Sequence, residues 1–264
     1  MQKTNTFALV TGASCGIGSE FAKLLAEQKH NLVLTARNAE KLQKLATELT
    51  QKYGIKVHTL PLDLSQSDAP EKLFTQTQKL NLTVKTLINN AGFGDYGYFL
   101  NTDLKREEEM IILNILSLTK LTKLFAREMQ KNGGGEILNV ASTAAFQPGP
   151  LMSVYFASKA YVLSFTQALH EEFKGTNIKI TALNPGPTSS EFVSRAKMAD
   201  LPLYKKTKMA SANEVAKLGL KALNKNRGSV IHGLLNTIVA YLSRIAPAGL
   251  SAKVTRLLLN KASS

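Results

Sequence analysis

The sequence predicts an α/β fold, a doubly wound parallel sheet with helices on both faces. Three observations carry that prediction. Short apolar runs alternate with stretches of helical spacing from residue 7 to about residue 190. The runs are apolar throughout instead of alternating with polar residues, as strands buried on both faces are. A glycine-rich turn joins the first run to the first helical stretch, where such sheets open to a ligand.

The elements follow in order. Residues 7–11 form the first strand, and Phe21, Leu24 and Leu25 mark the helix after the turn. Residues 31–35 form the second strand, and 40–53 are helical with Leu42, Leu45, Ala46 and Leu49 on one face. A third strand is read at 56–61, a helix at 70–80 and a fourth strand at 86–89. One long helix is expected over 104–129, ending before Gly133, Gly134 and Gly135. A strand at 136–141, a helix at 154–173 and a strand at 179–184 complete the alternation.

Beyond that the pattern changes. Segment 187–210 is polar and basic without a clear period and is expected to be a substrate loop. Residues 211–223 read as a helix with Ser211 or Asn213 as N-cap, and 229–231 as a last short strand. Residues 234–246 place apolar side chains at 234, 235, 238, 239, 242 and 245, with Asn236, Thr237, Ser243 and Arg244 opposite. Pro247 and Gly249 interrupt the run, and 250–259 resume it. The first stretch is far shorter than the ~20 residues that span a bilayer. The amphipathic tail 234–261 leaves three readings open: core packing on the sheet, a subunit interface, or a lid over an apolar substrate that also touches a membrane. The first two are the expected ones.

With 264 residues, 44% of them hydrophobic, the chain reads as a single domain over 1–264 with a full-sized core. One cysteine excludes an internal disulfide framework and suits a reducing compartment. The apolar run at 7–10 is too short for a signal-peptide core, so the expected location is cytoplasmic, with peripheral membrane contact left open through the tail. The net charge of +14 is uneven. From Arg195 onward there are thirteen Lys/Arg and two Asp/Glu, so an electrostatic role belongs to the last quarter. That segment lacks interleaved aromatics and any docking motif, so nucleic acid is not the expected partner.

The turn reads Thr11-Gly-Ala-Ser-Cys-Gly-Ile-Gly18. Gly12, Gly16 and Gly18 let the backbone turn sharply and approach a pyrophosphate, with Ser14 and Ile17 beside them, and the helix N-terminus offers free N–H groups. The spacing is Gly-x-x-x-Gly-x-Gly. At the end of the second strand stands Thr35-Ala36-Arg37-Asn38, with no acid to bind a ribose 2′-hydroxyl. Arg37 can pair with a 2′-phosphate, which favours NADP(H) and leaves NAD(H) possible.

Tyr155 and Lys159 are four residues apart, with Ser142 thirteen residues upstream. On a helix the pair shares a face. A free tyrosine titrates near ~10, and a fixed cation beside it favours the phenolate. The pair reads as a tuned general acid/base, with Ser142 as hydroxyl donor to a substrate oxygen.

Taken together, these motifs resemble the short-chain dehydrogenase/reductase family, compact single-domain type. The matching residues are Thr11–Gly18, Asp63-Leu64, Asn89-Asn90-Ala91-Gly92, Asn114, Ser142, Tyr155, Lys159 and Asn184-Pro185-Gly186. The resemblance implies a Rossmann-like sheet of about seven strands with the nicotinamide cofactor across their carboxyl ends. It implies that Asp63 and Leu64 flank the adenine and that Asn90, Ala91 and Gly92 pack along the ribose. Tyr155 would pass the proton, Lys159 would hold the nicotinamide ribose, and Ser142 would bind the carbonyl oxygen. Asn114 would hold a relay water, and Pro185, Gly186 and Thr188 would fix the carboxamide. The stretch Asn89–Gly94 and the long tail resemble members that reduce 3-oxoacyl and steroid-like ketones. The expected activity is thus NADP-dependent reduction of an apolar carbonyl in lipid metabolism, by a homo-oligomer, dimer or tetramer. The alternative is a non-catalytic NADP-binding sensor or scaffold that uses the basic tail.

Other features read as structural. His30, His58, His170 and His232 are scattered without acid or cysteine at ligand spacing, so no metal site is expected. Glu107, Glu108 and Glu109 read as a solvated helix face. Asp95, Tyr96, Tyr98 and Phe99 either line the substrate mouth or only pack a loop.

Overall fold

The computed structural model describes residues 6–189, 192 and 209–260. Residues 190, 191 and 193–208 of the predicted substrate loop, and 261 of the tail, lie outside the described residues. Strands β1 (Thr6–Thr11), β2 (Asn31–Thr35), β3 (Val57–Thr59), β4 (Thr83–Asn89), β5 (Gly135–Val140), β6 (Ile178–Asn184) and β7 (Ser229–Ile231) form one sheet. Its order is β3-β2-β1-β4-β5-β6-β7, and every neighbouring pair is parallel.

Side-chain alternation along the strands divides the core in two. Ala8 and Val10 of β1, with Leu32 and Leu34 of β2, face one layer. That layer holds α1 (Gly16–Glu27), α2 (Ala39–Tyr53) and α7 (Ala212–Asn224). Phe7 and Leu9, with Val33, face the other, built on α3 (Ala69–Lys79), α5 (Leu118–Lys131) and part of α6 (Ser153–Glu172). Phe21 anchors the first layer and Phe125 the second, both fully buried. Each contributes on the order of 2–3 kcal/mol by leaving water. The helix ends are set by local chemistry. Asn38 caps α2 by accepting from the Lys41 N–H, and Gly54 closes it in the left-handed region. Ser211, not Asn213, caps α7 in a reciprocal capping box with Glu214.

The predicted helix over 104–129 is two helices. α4 (Leu104–Ile111) and α5 are joined by a π-helical turn, Ile112–Ser117. The widened turn carries Asn114, whose amide points inward to protein partners described below. Nothing in the spacing signals this, because buried positions recur every three or four residues from Glu107 through Met129, straight across the turn.

The tail departs from the expected core packing. It forms α8 (Leu234–Ile245) and α9 (Ala248–Leu259). Of α8 only Ala240 is fully buried, while Leu234, Ile238, Leu242 and Ile245 are exposed. α9 buries Ser251, Thr255 and Leu259 and exposes Leu250, Val254 and Leu257. The sheet's two faces are already covered, so these stripes find no core.

Candidate active site

The sheet order reverses direction at β1, where β2 and β3 lie to one side and β4 to the other. The crevice at the carboxyl ends of β1 and β4 is therefore the expected ligand site. Thr11 and Asn90 tie its two walls together. The Asn90 and Ala91 N–H groups donate to Thr11 Oγ1, both at 2.9 Å, and Asn90 Nδ2 donates to the Thr11 carbonyl at 2.9 Å.

The glycine turn is held tightly against this clamp. Gly12 has φ +64°, and a Cβ there would meet Asn90 Nδ2 at 2.8 Å. A Cβ on Gly18 would collide with the Gly12 carbonyl oxygen. Only glycine fits both positions, the first for its backbone and the second for its contact. α1 then begins at Gly16 with Cys15 as N-cap, and no side chain caps it. Its first N–H groups are left to an anion at the positive end of the helix.

Toward β2, Arg37 lines the same crevice and is exposed. Among the described residues it pairs with no carboxylate. Asp63 closes the turn after β3, its Oδ1 accepting from the Ser65 N–H at 3.0 Å and Ser65 Oγ at 2.8 Å. Leu64 is buried beside it, and its carbonyl accepts from Ser117 Oγ at 2.6 Å.

The other end holds the titratable pair. Tyr155 and Lys159 sit in the first two turns of α6 and are both buried. Lys159 Nζ donates to the Val140 carbonyl at 2.9 Å and stands 5.9 Å from the centre of the Tyr155 ring. Burial pushes the Lys159 ammonium down to about 8. Ser142 caps the turn after β5, its Oγ accepting from the Ala144 N–H at 3.1 Å. The Pro185 carbonyl, at 3.5 Å, is a weak competitor for the Ser142 proton.

Asn114 braces this arrangement from behind. Its Oδ1 accepts from the Phe93 N–H at 3.2 Å, and its Nδ2 donates to the Phe93 carbonyl and to Ser158 Oγ, both at 3.0 Å. Ser158 in turn donates to the Tyr155 carbonyl at 2.7 Å, so one buried chain links the loop after β4 to α6. Gly92 lies against it: a Cβ there would sit 3.0 Å from Asn114 Oδ1 and 3.4 Å from Lys159 Nζ.

A cavity of about 840 Å³ runs through the whole crevice. Of the predicted residues it is lined by Gly12, Ser14, Gly16, Ile17, Arg37, Asp63, Leu64, Asn90, Ala91, Gly92, Ser142, Tyr155, Lys159, Pro185, Gly186 and Thr188. Gly18 and Asn114 stand behind the lining, acting through packing and hydrogen bonds. Thr188 Oγ1 donates to the Gly186 carbonyl at 2.9 Å, and Thr188 bridges to Ala210, near the two ends of the predicted substrate loop. The cavity, at the large end of the ~300–1,000 Å³ usual for ligand sites, suits an extended dinucleotide with substrate beyond it. The uncapped α1 terminus and the glycine cradle fit its pyrophosphate, and Lys159 fits a ribose.

Several further residues line the cavity, with Phe192 in the predicted substrate loop and Leu235 and Val239 in the amphipathic tail. Phe93, Met152, Phe156 and Phe192 form an apolar wall near Tyr155, joined by Leu235 and Val239 of α8. The Tyr155 and Phe192 rings are 5.4 Å apart. Asn236 packs on Gly186 so closely that a Cβ there would strike its amide. Of the residues left open after Asn89–Gly94, none lines the cavity. Asp95 is buried in an ion pair with Arg106 at 3.0 Å, and Arg106, set over the Phe93 ring, is the one that reaches the wall. Tyr96 Oη donates to the Leu259 carbonyl at 2.9 Å, while Tyr98 and Phe99 are exposed. The acidic run is not a solvated face. Glu107 is buried and accepts from Thr102 Oγ1 at 2.7 Å, Glu109 lines the cavity, and only Glu108 is exposed.

The chain is similar to several known proteins. The model of the short chain dehydrogenase family matches residues 6–200. The very-long-chain 3-oxoacyl-CoA reductase of Rattus norvegicus is 33% identical over 247 residues, covering 90% of this chain and 76% of that protein. The 17-beta-hydroxysteroid dehydrogenase type 3 of Homo sapiens is 34% identical over 193 residues, 72% of this chain and 61% of that protein. Among solved structures, a short-chain dehydrogenase from Sphingobium yanoikuyae in complex with NADPH superposes with a TM-score of 0.81 at 28% identity, covering 98% of each chain.

Proposed function

The chain belongs to the short chain dehydrogenase family and is an oxidoreductase, and on that premise we propose that it reduces an apolar ketone or 3-oxoacyl thioester with NADPH. The observation that carries the reading is the Tyr155–Lys159 pair, one helical turn apart in the cavity that also holds the glycine cradle.

When bound, a nicotinamide dinucleotide supplies the hydride that adds to the carbonyl carbon. The chain's own residues handle the oxygen and the proton. Ser142 already accepts from Ala144, so its O–H is available to donate to the substrate oxygen. The Tyr155 hydroxyl gives its proton to that oxygen as the C–H bond forms, leaving a phenolate. The buried Lys159 ammonium stabilises that phenolate and the ribose hydroxyls. Asn114 fixes α6 through Ser158, and it is the residue proposed to hold a relay water. Arg37 supplies the preference for NADPH by pairing with a 2′-phosphate. The wall of Phe93, Met152, Phe156 and Phe192 favours an apolar substrate. The 3-oxoacyl class follows from the named relatives, and a homo-oligomer is the assembly proposed.

The test is to follow NADPH and NADH oxidation against ketones running from small ones to long 3-oxoacyl thioesters. The expected outcome is NADPH preference and a rate that rises with chain length. Equal use of both cofactors removes the role of Arg37. Tight NADPH binding without hydride transfer to any carbonyl overturns the reading in favour of a binding protein.

A further inference from the structure

Helices α8 and α9 carry an exposed apolar surface. On α8 Leu234, Ile238 and Ile245 are 77%, 47% and 83% exposed. On α9 Leu250, Val254 and Leu257 are 54%, 48% and 76% exposed. These positions recur at helical spacing, one stripe on each helix, opposite Ala240 on α8 and Ser251, Thr255 and Leu259 on α9. So many large apolar side chains left exposed on two adjoining helices mark an interaction surface.

The charge around the stripes selects the occupant. After Glu214 the chain has eight Lys and Arg and no Asp or Glu. Arg244, Lys253 and Arg256 stand on α8 and α9 themselves, all exposed. Arg244 lies over the Phe146 ring, while Lys253 and Arg256 stand on α9 beside its stripe. Apolar stripes on helices that carry cations and no acids match an anionic lipid surface, into whose boundary they insert while the cations meet headgroups. A second copy docked by twofold symmetry would bring these like charges toward one another. Both helices are too short to cross a bilayer, and no helix among the described residues is long and apolar enough to do so.

We propose that the α8–α9 pair is a docking surface for an anionic phospholipid bilayer, on which the protein lies without spanning it. The site described above opens toward it. Leu235 and Leu258 line the cavity and are also 77% and 49% exposed, so an apolar substrate dissolved in the lipid would meet the cavity mouth directly. That last step rests on the proposed reductase function; the lipid contact does not.

The test uses the full chain and sedimentation with phosphatidylcholine vesicles, with and without phosphatidylserine. Binding is expected to be at least about tenfold stronger to the phosphatidylserine vesicles and to fall with added salt. Lys253→Gln with Arg256→Gln is expected to weaken it roughly thirtyfold. Ile245→Gln with Leu257→Gln is expected to weaken it by on the order of tenfold or more. Neither pair lines the cavity, so thermal stability and turnover of a water-soluble ketone stay at wild-type values. Equal or absent binding to both vesicle types overturns the proposal. So does an apolar pair of substitutions that leaves vesicle binding intact but converts an oligomer to a monomer by light scattering, since a second copy would then cover the face. Loss of turnover with vesicle binding intact would count against the function proposed above and not against the lipid contact.

Discussion

Helix α1 buries Phe21, Leu24 and Leu25 in the core it shares with the sheet and α7, whereas α8 leaves Leu234, Leu235, Ile238 and Ile245 in water on much the same apolar spacing. The two helices differ in what their faces meet. α1 follows a strand directly, through a glycine turn that presses it against β1 and β4. α8 follows β7, the last strand at the sheet's edge, where α6 and α7 already occupy the two faces. A periodic apolar face thus says that something covers the helix, and the place in the sheet decides whether the protein itself supplies the cover.

Substitutions graded by size test that divide. The largest effect is on chemistry in the crevice. Tyr155→Phe should lower kcat by about 10²–10⁴-fold with the thermal midpoint unchanged, measured by NADPH oxidation and a thermal melt. A variant that keeps the wild-type rate sinks the mechanism. Next, Phe21→Ala should destabilise by about 3–5 kcal/mol in urea unfolding, because a fully buried ring leaves a cavity.

Lys159 gives a pH-dependent effect of similar size. Its ammonium is depressed to about 8 by burial, from an ordinary 10.5. Below pH 8 the folded state keeps a charge it disfavours, and between about 8 and 10.5 it sheds that proton while the unfolded chain still holds it. Stability from this group therefore rises with pH across that window. Cofactor-free Lys159→Met should be more stable than wild type at neutral pH, by up to about 3 kcal/mol, with the gap closing toward pH 10.5. Unfolding the two proteins in urea across this range checks it, and a gap that widens with pH refutes it. Arg37→Gln is a smaller change: it should raise the KM for NADPH by about tenfold and leave that for NADH alone. Smallest of all, Ile245→Ala should shift stability by no more than about 0.5 kcal/mol. A loss of several kcal/mol there would mean that α8 is core after all, and would erase the contrast with α1.

Much of the crevice was legible in the chain because it depends on the backbone. Gly12 and Gly18 stand where a Cβ cannot fit, and Tyr155 and Lys159 share a face because a helix repeats every 3.6 residues. The π turn at Asn114 was not legible, since the buried positions keep a spacing of three or four residues across it. Nor was Ser158, whose bond to Asn114 joins residues 44 apart in sequence. The buried Glu107 looked like a surface acid because the Thr102 hydroxyl that holds it follows from loop shape, not from spacing.

The amino-acid sequence by itself determined the parallel sheet, the glycine cradle, and the residues that meet at the strands' carboxyl ends. Local periodicity and conformational limits act within a few residues, and those are enough to specify such features. The tertiary structure alone decided which loop residues wall the cavity, that Arg106 reaches it while Asp95 holds it, and that α8 and α9 face outward. Those outcomes depend on which surfaces are already occupied when distant segments meet, and no stretch of the chain carries that information alone.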